Sequence, residues 1–136
     1  MEARLEFGEN CLEITNLKHF PKDKAGGSQY NTLFDLRVKS DDGKFTGVCG
    51  CEDDIQRLSE LADDLQKMYE LKIDEVKYRD AFGSAEIGFL LSKNGHITVS
   101  GTLENFVHSV KFEFEADQTV LPPFIGELNK MISIEK

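Results

Sequence analysis

Cys49, Gly50 and Cys51 place two thiols two positions apart. In an extended segment such thiols point to the same face, roughly 7 Å apart, which raises the question of metal ligation or redox exchange. A metal site needs further thiolate or imidazole ligands at characteristic spacings. His19, His96 and His108 are scattered along the chain instead, so the two cysteines read as small strand residues and no metal or cofactor is expected. The carboxylate pairs Asp53-Asp54 and Asp63-Asp64 suggest acid/base or Mg²⁺ chemistry. Neighbours on a helix diverge by about 100°, so neither pair converges on one substrate atom. Asp41-Asp42-Gly43 lacks the remaining oxygen ligands and the terminal Glu of a calcium loop and reads as a turn. His96 and His108 read as exposed polar residues at turns, and neither a nucleophile elbow, a phosphate loop nor a His-Glu-x-x-His motif occurs. These residues point to a binding protein rather than an enzyme.

Charge narrows the kind of partner. Asp and Glu outnumber Lys and Arg by 25 to 16, for a net charge of −9. Affinity for nucleic acid and for anionic lipid comes largely from Lys and Arg on phosphate, so neither is an expected partner. A cationic protein is the natural one. The N-terminal Met1-Glu2-Ala3-Arg4-Leu5-Glu6-Phe7 resembles no signal peptide, and no apolar run reaches membrane-spanning length. The odd number of cysteines suits reduced thiols. The expected compartment is the cytoplasm.

The elements that must carry this surface are legible from periodicity. Residues 53–71 form the strongest helix, with Ile55, Leu58, Leu61, Ala62, Leu65, Met68 and Tyr69 on one stripe, and Glu52 or Asp53 as its cap. Its opposite face carries Gln56, Glu60, Asp63, Lys67 and Glu70, with Asp53 and Asp64 beside it. A second helix starts near Pro122-Pro123 and buries Phe124, Ile125, Leu128, Met131 and Ile132. Strands alternate at Phe34, Leu36 and Val38; at Ile87, Phe89 and Leu91; at Ile97, Val99, Gly101 and Leu103; and at Val110, Phe112, Phe114 and Ala116. Arg4 to Phe7 and Cys11 to Phe20 flank the turn Gly8-Glu9-Asn10, and Val76 and Tyr78 mark a short strand before a turn at Ala81-Phe82-Gly83-Ser84. The stretch through Lys24-Ala25-Gly26-Gly27-Ser28 reads as the most mobile loop.

Register decides one turn. Asn94-Gly95 is the commonest two-residue hairpin signal, yet a two-residue loop would set Leu91 opposite Thr98 and mix the two faces. A three-residue loop, Lys93-Asn94-Gly95, sets Leu91 opposite Ile97 and Phe89 opposite Val99. The same test leaves Asp41-Asp42-Gly43 open, because Phe45, Cys49 and Cys51 oppose Val48 in the next strand, which is then either covered on both faces or bulged. The order of elements gives one domain, 1–136, of α+β class: a mainly antiparallel sheet of about seven or eight strands with one long central helix and one C-terminal helix.

Three stretches carry a family resemblance: Leu5-Glu6-Phe7-Gly8-Glu9-Asn10-Cys11-Leu12-Glu13-Ile14, Phe112-Glu113-Phe114 followed by Asp117-Gln118, and the terminal helix with Leu128. Together with the element order over most of the length, they make the chain resemble the WapI-type immunity proteins of bacterial polymorphic toxin systems. The resemblance implies a cytosolic antidote that binds and blocks a cognate toxin domain, often a nuclease, with no catalytic residues. An acidic surface suits that role, because nuclease sites are commonly cationic. The expected contact residues are Asp53, Glu60, Asp63 and Asp64 on the helix and Asp41 and Asp42 at the turn. The alternative is a small ligand-binding or regulatory domain with a cavity lined by Phe34, Phe89, Phe112 and Phe114.

Overall fold

A computed structural model describes residues 1–21 and 30–136. The loop expected at residues 24–28 lies outside the described residues. Eight strands form two antiparallel meanders. The first sheet contains β1 (Glu2–Phe7), β2 (Asn10–His19), β3 (Thr32–Ser40) and β4 (Phe45–Asp53), paired in that order. The second contains β5 (Glu75–Arg79), β6 (Ala85–Leu91), β7 (His96–Asn105) and β8 (His108–Asp117). Helix α1 (Ile55–Tyr69) connects the sheets, and α2 (Leu121–Glu135) closes the chain after one 3₁₀ turn. The α+β class, the antiparallel pairing and both helices agree with the sequence; the division into two four-stranded sheets was not visible in it.

Alternation along each strand fixes which face is buried. Leu36, Val38 and Phe34 from the first sheet join Ile87, Phe89, Val99, Phe112 and Phe114 from the second in one contiguous core, completed by the apolar stripes of α1 and α2. Helix α2 packs on β1 and α1, while α1 also meets β5. Phe89 pairs with Val99 and Leu91 with Ile97. Ser92 N–H then donates to the His96 carbonyl at 2.8 Å, and Gly95 takes φ +81°. The loop is therefore the three-residue one that register requires.

Three expectations need correction. First, β4 is neither covered on both faces nor bulged: it pairs without a break from Ser40↔Phe45 to Thr32↔Asp53 across a four-residue loop, Asp41 to Lys44. Its conflict is settled by exposure, Phe45 staying 63% and Val48 46% accessible. Second, Tyr69, the last residue of α1, is 42% exposed, while Met68 beside it is fully buried. Third, the helix begins one to two residues later than expected, with Asp54 as its N-terminal flank and no side-chain cap of its own. The Asn31 side chain, just ahead of β3, accepts from Ile55 N–H at 3.0 Å in its place.

Candidate functional site

Asp53 does not face solvent. It ends β4 at 0% exposure, where Tyr78 of β5 donates its hydroxyl to Asp53 Oδ2 at 2.5 Å and Arg57 donates to the same oxygen at 2.9 Å. Asp54 N–H donates to Asp53 Oδ1 at 2.8 Å. Arg57 also lies over the Tyr78 ring, 5.5 Å from its centre. Burial first, and the hydrogen bond to Asp53 second, push the Tyr78 phenol well above its ordinary range. This carboxylate joins the two sheets and the start of α1, so it is removed from the expected contact surface. Its sequence neighbours made it look like a helix cap; only Tyr78, far along the chain, reveals the other role.

The remaining acids fall into two separate places. Glu60 and Asp63 are exposed and Asp64 half-buried on α1, with Lys67 Nζ 3.9 Å from Asp64. Asp41 and Asp42 sit in the β3–β4 loop, at the opposite end of β4 from the start of α1. Nine strand residues lie between, roughly 30 Å at the usual rise. The structure therefore does not bring the six expected residues together.

At the loop end a different set converges. Asp41, Asp42 and Gly43 all adopt positive φ, at +52°, +56° and +84°, a conformation that Asp tolerates better than most residues. Asp42 N–H donates to Asn10 Oδ1 at 2.8 Å, which ties this loop to the turn between β1 and β2. The tied pair faces β8. Phe7, Gly8, Asn10, Asp41, Asp42, Glu113, Phe114 and Glu115 line an open groove of about 400 Å³. Among the described residues its lining holds four carboxylates and no Lys or Arg.

The thiols and the Phe rings serve the interior. Cys49 and Cys51 are buried with their sulfurs 3.8 Å apart, nearer than the strand rise alone suggests. The hydrogen bond that Cys51 donates to Cys49 Sγ, then burial, push the Cys51 thiol far up, so it stays protonated, and the same bond lowers the Cys49 thiol. Among the described residues no group of three His, Cys, Asp or Glu side chains is placed to hold a metal. Phe34, Phe89, Phe112 and Phe114 are packed into the core. Phe34, Phe112 and Phe114 each line a different open surface hollow among the described residues, and no two of them share one of these hollows.

A family model described as the Immunity protein WapI-like family matches residues 2–134. The chain belongs to this family. No curated protein matches it. Among solved structures, one titled as MRP1/MRP2 of Trypanosoma bruciei is similar with a TM-score of 0.51 at 9% identity, over 98% of this chain and 84% of that one. At that identity the likeness is one of fold alone. It extends over both sheets and both helices.

Two features of this WapI-like chain escaped sequence reasoning. Glu113 and Glu115 belong to the acidic groove, and the alternation of Glu113 and Glu115 with Phe112 and Phe114 already marked them as outward. What it did not mark was the loop of the other sheet that they would face. The turn joining β7 to β8 consists of Phe106 and Val107, both fully in solvent. A turn at His108 was expected, but Asn105-Phe106-Val107-His108 contains none of the Gly or Pro signals, so nothing local announces the exposed apolar pair at its tip.

Proposed function

We propose that this protein is a cytoplasmic immunity protein that neutralises a cognate, nuclease-type toxin domain by binding over its active site, without catalysis of its own. Membership of the immunity family along almost the whole chain carries this reading. The charge supports it: at −9 the chain attracts a phosphate-binding, cationic surface and accelerates encounter with it. The open groove of Asp41, Asp42, Glu113 and Glu115 is one place for such a surface, being built on two tied turns and a strand. Glu60 and Asp63, exposed on α1, with half-buried Asp64 beside them, form a second patch.

The test is stopped-flow association with the toxin domain encoded beside this chain's gene, at 50 and 300 mM salt. Association slows with salt if charge steers the encounter. Glu113→Lys with Glu115→Lys slows it at low salt if the groove is the contact, whereas Glu60→Lys with Asp63→Lys slows it if the helix is. Rates untouched by both pairs and by salt would exclude an acidic contact surface.

A further inference from the structure

The β7–β8 hairpin ends in two apolar residues with no packing role. Phe106 is 101% exposed and Val107 92%. The ladder below them is unbroken, pairing every residue from His96↔Asp117 to Asn105↔His108, and Val110 is wedged against β4 at Gly47. The tip is therefore carried on a braced ribbon and projects in one fixed direction. Its backbone is also unfavourable: a two-residue loop needs positive φ at its first position, where Gly or Asn is at ease, and Phe106 holds φ +55°. A bulky residue in that region is a true outlier. Val107 does not share the positive φ, so a turn with Gly first and a polar residue second would serve the hairpin better, and neither side chain is there for folding.

We propose that Phe106 and Val107 form the apolar anchor by which this protein plugs a hydrophobic cleft of its toxin domain, a cleft bordered by basic side chains. The proposal rests on the immunity reading above and names the contact that gives the complex its lifetime. The charge around the tip selects the partner. Glu104 stands exposed beside it and His108 on its other side, and the outward row of β8 runs from Ser109 through one cation, Lys111, to Glu113 and Glu115 at the acidic groove, so carboxylates outnumber Lys along this edge. Glu113 lies six positions along the chain from Val107, about 20 Å of strand, so the tip and the β8 side of the groove share one edge of one sheet. Two copies of this chain meeting tip to tip would oppose Glu104 to itself in molecules of charge −9. A basic-rimmed cleft meets no such repulsion. The division of labour is the usual one, in which a buried aromatic centre slows dissociation while surrounding charges speed encounter.

The experiment compares wild type, the double variant Phe106→Gly/Val107→Ser, and Leu71→Gly, against the C-terminal toxin domain encoded beside this chain's gene. Leu71 is a second exposed apolar residue at positive φ, at the end of α1. Both variants relieve strain and should melt no lower than wild type. The anchor requires the hairpin variant to bind at least about 30-fold more weakly, chiefly through faster dissociation, with Leu71→Gly unchanged. Equal affinity of hairpin variant and wild type overturns the anchor alone, as does an equal loss in Leu71→Gly. Failure of wild type to bind overturns the toxin reading and the anchor together. A wild-type dimer in sedimentation that the hairpin variant dissolves would assign the tip to self-association and overturn the proposal.

Discussion

Tyr78 donates its hydroxyl to the buried carboxylate of Asp53 across 2.5 Å, and that bond holds the end of the first sheet against the start of the second. Arg57 supplies the countercharge from the first turn of α1. Asp53→Ala leaves a buried phenol and a half-exposed guanidinium without their acceptor, which should cost about 2–3 kcal/mol. Tyr78→Phe removes one charge-assisted bond and should cost about 1.5 kcal/mol. Urea denaturation checks both; losses under 0.5 kcal/mol would mean the network contributes nothing net.

The same pair sets an alkaline limit. The folded-state pKa of Tyr78 is raised above its ordinary value of 10.0, so the neutral phenol is favoured by folding. Its stabilisation is complete below pH 10 and lost as pH rises further, at about 1.4 kcal/mol per pH unit. Tyr78→Phe should flatten that part of the stability profile between pH 10 and 11.5. An identical alkaline slope in the variant would show that Tyr78 ionises freely in the fold.

All three cysteines are buried; the Cys51 thiol is pushed up, and although its hydrogen bond lowers the Cys49 thiol, burial keeps that sulfur from reagent as well. A disulfide-exchange reagent at pH 8 should therefore label none of them within seconds in the native protein and all three in guanidinium chloride. Fast labelling of Cys49 or Cys51 before unfolding would reopen a redox role for the pair.

Two glycines should respond in opposite directions. At Gly101 a Cβ would lie 2.1 Å from the Glu86 carbonyl oxygen on the neighbouring strand, and backbone cannot yield cheaply. Gly101→Ala should cost about 3 kcal/mol or prevent folding. Gly126 on α2 has nothing within 4 Å, so Gly126→Ala should stabilise by about 0.5–1 kcal/mol. Thermal melts of both variants suffice, and a tolerated Gly101→Ala would show that β6 and β7 do not approach so closely.

Asp42 sits at φ +56°, where Gly is less strained than Asp. Asp42→Gly should raise stability by a few tenths of a kcal/mol, yet weaken toxin binding if the loop lines the contact. A gain in stability with unchanged affinity would move the contact away from the β3–β4 loop.

The hairpin from Ile87 to Leu103 was legible because only one loop length keeps Phe89, Leu91, Ile97 and Val99 on the same side. The strand from Phe45 was not, since it spends apolar residues on positions that stay in water, and an exposed Phe looks the same as a buried one in a string of letters. Asp53 shows the converse error. Standing before an amphipathic helix it has the pattern of a cap, and its two strongest partners are a residue one helical turn ahead and a tyrosine on another sheet.

What the sequence determined by itself were the inner and outer faces of α2 and of the strands at Phe34, Ile87, Ile97 and Phe112, the three-residue turn at Gly95 and the excess of negative charge, because periodicity and side-chain chemistry are local properties. Only the tertiary structure decided that the strands divide into two sheets, that Asp53 is inside, and that Asp41 and Asp42 face Glu113 and Glu115. Those outcomes depend on which surfaces meet across long sequence separations, and no neighbouring residue encodes that choice.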